Sequence, residues 1–303
     1  MPRYNMNTLP TPPVSPEALS TGMKRPLDTR YTPKRPTPLR MLWRSVYERR
    51  MDVKALKRYL HRNQHLDIND ARGFSVFYHA CRTSSIDAMQ YLLNLSQIDI
   101  NKRYGPLHAT VLHASVCVGS AATIDLLLKQ SNINVNLTTV NGHTPLHIAA
   151  LVKSVIATEK LLAAGADPTI TDHCGHTPLH LAISQGSLST VKCLLANKSP
   201  NSHYTTTTKT FPPLTHAIAL GHYPIMCELI NAGEDFNKRD HLNRTPLDVA
   251  ITFQRYDCMS YLVDCGAQQS ITHQDSSPPE STVEKPKDIR QLMSLEFWTS
   301  PTM

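Results

Sequence analysis

Two ten-residue segments, NGHTPLHIAA from Asn141 and CGHTPLHLAI from Cys174, are nearly identical and lie 33 residues apart. Self-similarity at such a period constrains a fold strongly, because each copy must form a small unit that cannot bury its apolar face alone. The frame recurs with decay: SVFYHA starts at Ser75, TVLHAS at Thr110 and PPLTHA at Pro212, and RTPLDVA places its threonine at position 245. The equivalent positions 75, 110, 144, 177, 212 and 245 are separated by 35, 34, 33, 35 and 33 residues. Each copy is followed by a second apolar segment, such as YLLNL, LLLKQ, KLLAAGAD or ELINAGEDFN, that reads as the end of a helix.

The letters of the frame have physical roles. Thr144 and Thr177 suit an N-cap, where a hydroxyl satisfies an otherwise orphaned amide. Pro145 and Pro178 then take the first helical position, where a missing N–H costs nothing. Leu146, Ala149, Leu179 and Ala182 fall at i and i+3 on one face, the alanines small enough for close helix approach. Thr245, Pro246 and Leu247 repeat the pattern, while His147 and His180 recur at one position of it. Gly142 and Gly175 offer positive φ in the preceding turn, as Asn243 can in the last copy. Gly165, Gly233 and Gly266 sit just past the second helices, as left-handed caps would. Burial of Leu161, Leu162, Leu194 and Leu195 between units is expected to contribute about 1.5–3 kcal/mol each.

With its T-P-L-H-x-A signature and period near 33, the chain resembles the ankyrin-repeat family. The resemblance implies an all-α solenoid of antiparallel helix pairs, each joined to the next by a β-hairpin-like loop. It divides the chain into a leader (1–36), a degenerate capping repeat (37–69), and repeats at 70–105, 106–138, 139–171, 172–206, 207–239 and 240–268. A polar linker with a short amphipathic tail follows at 269–303. The run YTTTTKTF (204–211) is expected to lengthen the loop of the fifth copy.

Charge is placed unevenly. Residues 1–50 hold ten of the 31 Lys/Arg and three of the 24 Asp/Glu, so the other 253 residues carry 21 of each sign and balance to zero. The net +7 therefore belongs to the leader and its neighbour, and the repeat array is not expected to bind nucleic acid. No apolar run reaches the roughly 18–20 residues needed to span a bilayer, and the first residues lack the apolar centre of a secretory signal. Seven scattered cysteines without a C-x-x-C pair fit reduced thiols and a cytoplasmic or nuclear location.

The leader has eight prolines and reads as disordered. It offers Thr11, Ser15 and Thr32 to proline-directed kinases, and paired basic residues Lys24, Arg25, Lys34 and Arg35 that resemble a bipartite nuclear localisation signal. The segment HQDSSPPESTVEKP is similar to a PEST-type linker. PKDIRQLMSLEF after it resembles the opening of a SOCS box, but only 18 residues remain from Pro286, too few for the whole box.

One stretch looks chemical. DHCGHTPLH (172–180) holds one aspartate, one cysteine and three histidines, all types that bind metals or move protons. The repeat accounts for most of it: Gly175, Thr177, Pro178, Leu179 and His180 belong to the frame, and His176 recurs as His143. His173 and Cys174 remain at the predicted loop tip. Zinc would need more ligands than this loop supplies, so no metal or cofactor is expected, and no catalysis.

A protein-binding scaffold is the expected function. Partners would meet Asn141, His143, His173, Cys174, His176, His241, Leu242 and Arg244 at the loop tips, and Lys153 and Gln185 on the inner helices. Two narrower readings stand beside it. The basic leader, six repeats and PEST-like tail share the layout of IκB-like transcription-factor co-regulators, without their D-S-G-x-x-S degron. The tail allows a substrate-recognition subunit of a cullin–elongin ubiquitin ligase.

Overall fold

Five of the six first helices start at a Ser or Thr cap, and all six stop after about two turns. Thr144 is extended (φ −82°, ψ 167°) and its hydroxyl accepts the His147 amide at the start of a seven-residue helix. Thr177 and Thr245 hold the same conformation ahead of Pro178 and Pro246. Ser75 caps its helix through the Tyr78 amide at 3.1 Å. Pro212 replaces the capping hydroxyl in the fifth unit, where the Thr215 hydroxyl donates back to the Pro212 carbonyl at 2.9 Å.

The computed structural model describes residues 53–62, 69–70, 73–95, 98–197 and 211–268. The chain divides into two units, Met1–Pro36 and Thr37–Met303, and every described residue lies in the second. Thirteen helices occur among the described residues: α1 (Val53–Arg62), α2 (Val76–Arg82), α3 (Ile86–Leu93), α4 (Val111–Val118), α5 (Ala121–Leu128), α6 (Pro145–Leu151), α7 (Val155–Ala163), α8 (Pro178–Ser184), α9 (Leu188–Ala196), α10 (Pro213–Leu220), α11 (Tyr223–Asn231), α12 (Pro246–Thr252) and α13 (Tyr256–Asp264).

From α2 onward the helices form six pairs, and the pairs stack in register. The first helices pack in the series α2, α4, α6, α8, α10 and α12, and the second in the series α3, α5, α7, α9, α11 and α13. Helix α1 packs against α3, where the second helix of a preceding unit would stand. One continuous core runs through the stack, with Leu112, Leu146, Leu179, Leu214 and Leu247 from first helices and Ile124, Leu161, Leu194, Leu229 and Leu262 from second helices. Of the four leucines expected to anchor the stacking, Leu161, Leu194 and Leu195 are buried, while Leu162 is only partly so.

The described loops between pairs are hairpin-like without becoming strands. Among the described residues the only bridges are isolated, Asn69 with Ser75 and Tyr104 with Ala109. Tight turns close three further described loops: Thr139 N–H donates to His143 O, Asp172 N–H to His176 O and Asp240 N–H to Arg244 O, each at 2.9 Å. Consecutive loops are linked by Val140 N–H to Leu107 O (3.0 Å) and His173 N–H to Asn141 O (3.1 Å). With so few backbone bonds per loop, no extended ladder forms. Gly142 (φ 81°) is fixed here twice over, since a Cβ at this position would stand 2.8 Å from the His173 nitrogen. Asn243 takes the left-handed conformation (φ 60°) that its loop requires.

Candidate protein-interaction site

Imidazoles tie the units together. The Thr144 amide donates to His147 Nδ1 at 3.1 Å, so Nδ1 carries no proton and Nε2 donates to the His176 carbonyl at 3.0 Å. His113 joins Thr110 to the His143 carbonyl in the same way, and His180 joins Thr177 to the Phe211 carbonyl. Burial pushes all three imidazoles down to about 4, with the carbonyl bond opposing in part. These histidines are neutral, fully occupied and structural. In the last unit Asp248 takes the same position and accepts the Thr245 amide at 2.7 Å.

Asp172 anchors the tip of the fourth loop. Its Oδ1 accepts the amides of Cys174 (2.9 Å) and His176 (2.8 Å). Its Oδ2 faces His143 Nε2 at 3.4 Å and His176 Nδ1 at 3.5 Å. Burial alone would raise this carboxyl, but the nearby His143 and His176 side chains and the His176 amide outweigh it and hold it well below the usual carboxylate range. Asp240 repeats the arrangement in the last loop, with Oδ1 on the amides of Leu242 and Arg244 and Oδ2 on the Arg244 guanidinium at 2.9 Å.

The tip residues fall into two groups. His173, Cys174, His241 and Leu242 are exposed, Leu242 at 55%. Asn141, His143, His176 and Arg244 are half-buried: the Asn141 carbonyl holds the next loop, and Arg244 lies over the Phe211 ring at 5.5 Å beside His241. Val140, 45% exposed, is a tip residue that the letter pattern did not single out.

Lys153 and Gln185 do not sit on the inner helices as the sequence reading has them. Helix α6 ends at Leu151 and α8 at Ser184, so both residues lie in the turns joining the paired helices, Lys153 with φ 57°. The same turns bring in His222 and Arg255. The His222 ring lies against Gly186, while Arg255 lies against Gly221 and donates to the Ala219 carbonyl at 3.1 Å. Burial lowers His222, and the charges of Arg255 and then Lys153 lower it further, so these three side chains share one neighbourhood. Sequence reasoning missed His222 and Arg255, although both stand ten residues after a helix-capping position, 212 and 245.

The leader residues Thr11, Ser15, Thr32, Lys24, Arg25, Lys34 and Arg35 lie outside the described residues, as do most of the YTTTTKTF run and the whole 269–303 tail. Among the described residues no helix is long and apolar enough to cross a membrane.

Comparison with known families agrees with this geometry. A profile described as Ankyrin repeats (3 copies) matches residues 42–136, 105–172, 154–240 and 201–275. The chain is an ankyrin-repeat protein. Among curated relatives, the chicken (Gallus gallus) nuclear factor NF-kappa-B p105 subunit is 30% identical over 105 residues, 35% of this chain and 11% of that protein. The mouse (Mus musculus) neurogenic locus notch homolog protein 1 is 29% identical over 234 residues, 71% of this chain and 9% of that protein. The chain thus spans only about a tenth of the length of the curated relatives it matches. Among solved structures, the ankyrin-repeat domain of Bcl-3, titled a unique member of the IkappaB protein family, is similar with a TM-score of 0.65 and 23% identity. That match covers 75% of this chain and 98% of the other, and it speaks to fold alone. Ankyrin repeats are protein-binding modules.

Proposed function

We propose that this ankyrin-repeat protein is a non-catalytic scaffold that binds a protein partner along the edge formed by its loop tips and inter-helix turns. The carrying observation is the split between frame and tip. The capping threonines, prolines, leucines and histidines are buried and bonded, whereas His173, Cys174, His241 and Leu242 are exposed and hold up none of the core. Such positions can vary without cost to the stack, which is how repeat arrays acquire specificity. Lys153 and Arg255, close together around His222, give the adjoining turns a basic character that would favour an acidic partner segment. Affinity capture with the full chain, compared with a His173→Ala/His241→Ala/Leu242→Ala variant, tests this reading. Loss of specific partners with helicity retained supports it, and an unchanged partner set removes it.

A second, narrower reading is a nuclear co-regulator of Rel-type transcription factors. It is supported by the 30% identity to the p105 subunit and by the basic leader, repeat array and PEST-like tail of the sequence. Recovery of Rel-type proteins by the full chain would favour it. Cytoplasmic retention unaltered by substituting Lys24, Arg25, Lys34 and Arg35 would count against a nuclear role.

A further inference from the structure

The stretch DHCGHTPLH acquires a property in the folded protein that its repeat letters conceal. Asp172, Cys174 and His176 offer ligand atoms that all lie within 4.8 Å of one another. The frame accounts for His176 as a recurring loop residue, yet the fold brings its Nδ1 to the same carboxylate oxygen that His143 approaches from the preceding unit.

The spacing is informative. The two imidazole–carboxylate distances, 3.4 and 3.5 Å, exceed the roughly 2.7–2.9 Å of a charge-assisted hydrogen bond. The distance from His176 Nδ1 to Asp172 Oδ2 matches instead the edge, about 3.4 Å, of a tetrahedron built on metal–ligand bonds of about 2.1 Å. Charge adds an independent indication. Asp240, at the equivalent place in the last loop, has the Arg244 guanidinium 2.9 Å from its Oδ2, whereas Asp172 meets imidazoles and a nearby thiol there. A cation is therefore built into one loop, and its counterpart carries ligands at the corresponding position.

We propose that Asp172, Cys174 and His176 form a zinc-type metal site, bound through Asp172 Oδ2, the Cys174 thiolate and His176 Nδ1. His143 is a positioning residue: its Nε2 stands 3.4 Å from the same carboxylate oxygen, where an outer-shell group of a metal site would stand. Binding converts the Cys174 thiol to thiolate and releases that proton to solvent. The mixed O, S and N set suits Zn²⁺ or Co²⁺. Because Cys174 is exposed and His176 only half-buried, the fourth position is open to water or to a side chain of another protein. Metal binding does not depend on the scaffold reading, although it would put an open coordination position on the proposed binding edge.

Cobalt titration of the chelator-treated full chain, under reducing conditions, tests the site. One equivalent of Co²⁺ should bind with a thiolate-to-cobalt charge-transfer band, and Zn²⁺ should displace it. Cys174→Ser, at an exposed position, should abolish the band with unchanged helicity, and His176→Ala should weaken binding at least tenfold. His143→Gln should weaken it by about 10–100-fold while keeping the band. Cys265→Ser, at the end of α13, should change nothing. Absence of a thiolate band at one equivalent would overturn the proposal, as would a band that survives in both Cys174→Ser and His176→Ala.

Discussion

His147 bonds in two directions, to the cap of its own helix and to the carbonyl of the next loop, and both bonds are buried. His147→Ala would leave the Thr144 amide without a partner and remove one of two bonds to the His176 carbonyl, which still accepts the Asp172 amide, for a loss of about 1–3 kcal/mol in urea denaturation. His147→Asn can still accept the Thr144 amide but is too short for His176, so an intermediate loss is expected. The same residues make stability depend on pH. His113, His147 and His180 are depressed to about 4 in the folded chain, against about 6.5 when unfolded. As pH falls below about 6.5 the unfolded state takes up protons that the folded state refuses. Their contribution is therefore complete above about pH 6.5 and is lost progressively towards pH 4, with a slope of up to about 1.4 kcal/mol per pH unit for each histidine. Urea midpoints should be nearly level from pH 8 to 7 and fall steeply from 6.5 to 4. In His147→Asn that fall should be shallower by one proton.

Within an element, burial and backbone conformation decide which substitutions matter. Leu161 of α7 is fully buried and Leu162 is not, so Leu161→Ala should cost about 2–5 kcal/mol and Leu162→Ala clearly less. The adjacent leucines differ because a two-turn helix presents only one stripe to the stack. Lys153 holds a left-handed conformation that costs an L-residue about 1–2 kcal/mol, and the equivalent turn positions Gly186 and Gly221 are glycine. Lys153→Gly should therefore stabilise the chain by up to about 1 kcal/mol, read as a raised urea midpoint. Gly142→Ala should do the reverse, because its Cβ would meet the His173 backbone.

At the scale of the whole repeat unit, each described pair of helices packs chiefly on its neighbours, so stability is local and transmitted along the stack. A cavity in the middle should uncouple the two sides. Leu179→Ala, in the first helix of the fourth pair, should split unfolding into two steps, whereas Leu262→Ala should release only the last pair. Amide hydrogen exchange separates the two outcomes: protection lost from α8 outward in the first variant, and confined to α12 and α13 in the second.

The period, the capping threonines, the glycine and asparagine turns and the leucine stripes were legible in the letters, because local backbone preference and repetition leave their mark on sequence. The same letters placed Lys153 and Gln185 on helices, since a pattern of apolar residues does not reveal that a helix stops after seven positions. They also kept His143 and Asp172 apart, in different repeats, with no hint that 29 residues of chain return to bring an imidazole to 3.4 Å from a carboxylate. By itself the sequence determined an ankyrin-repeat stack and its capping threonines, because capping and burial act within one unit. Tertiary structure alone decided which imidazole meets which carbonyl, which tips are exposed, and which side chains converge on Asp172. Those contacts form between units, where distance along the chain no longer measures distance in space.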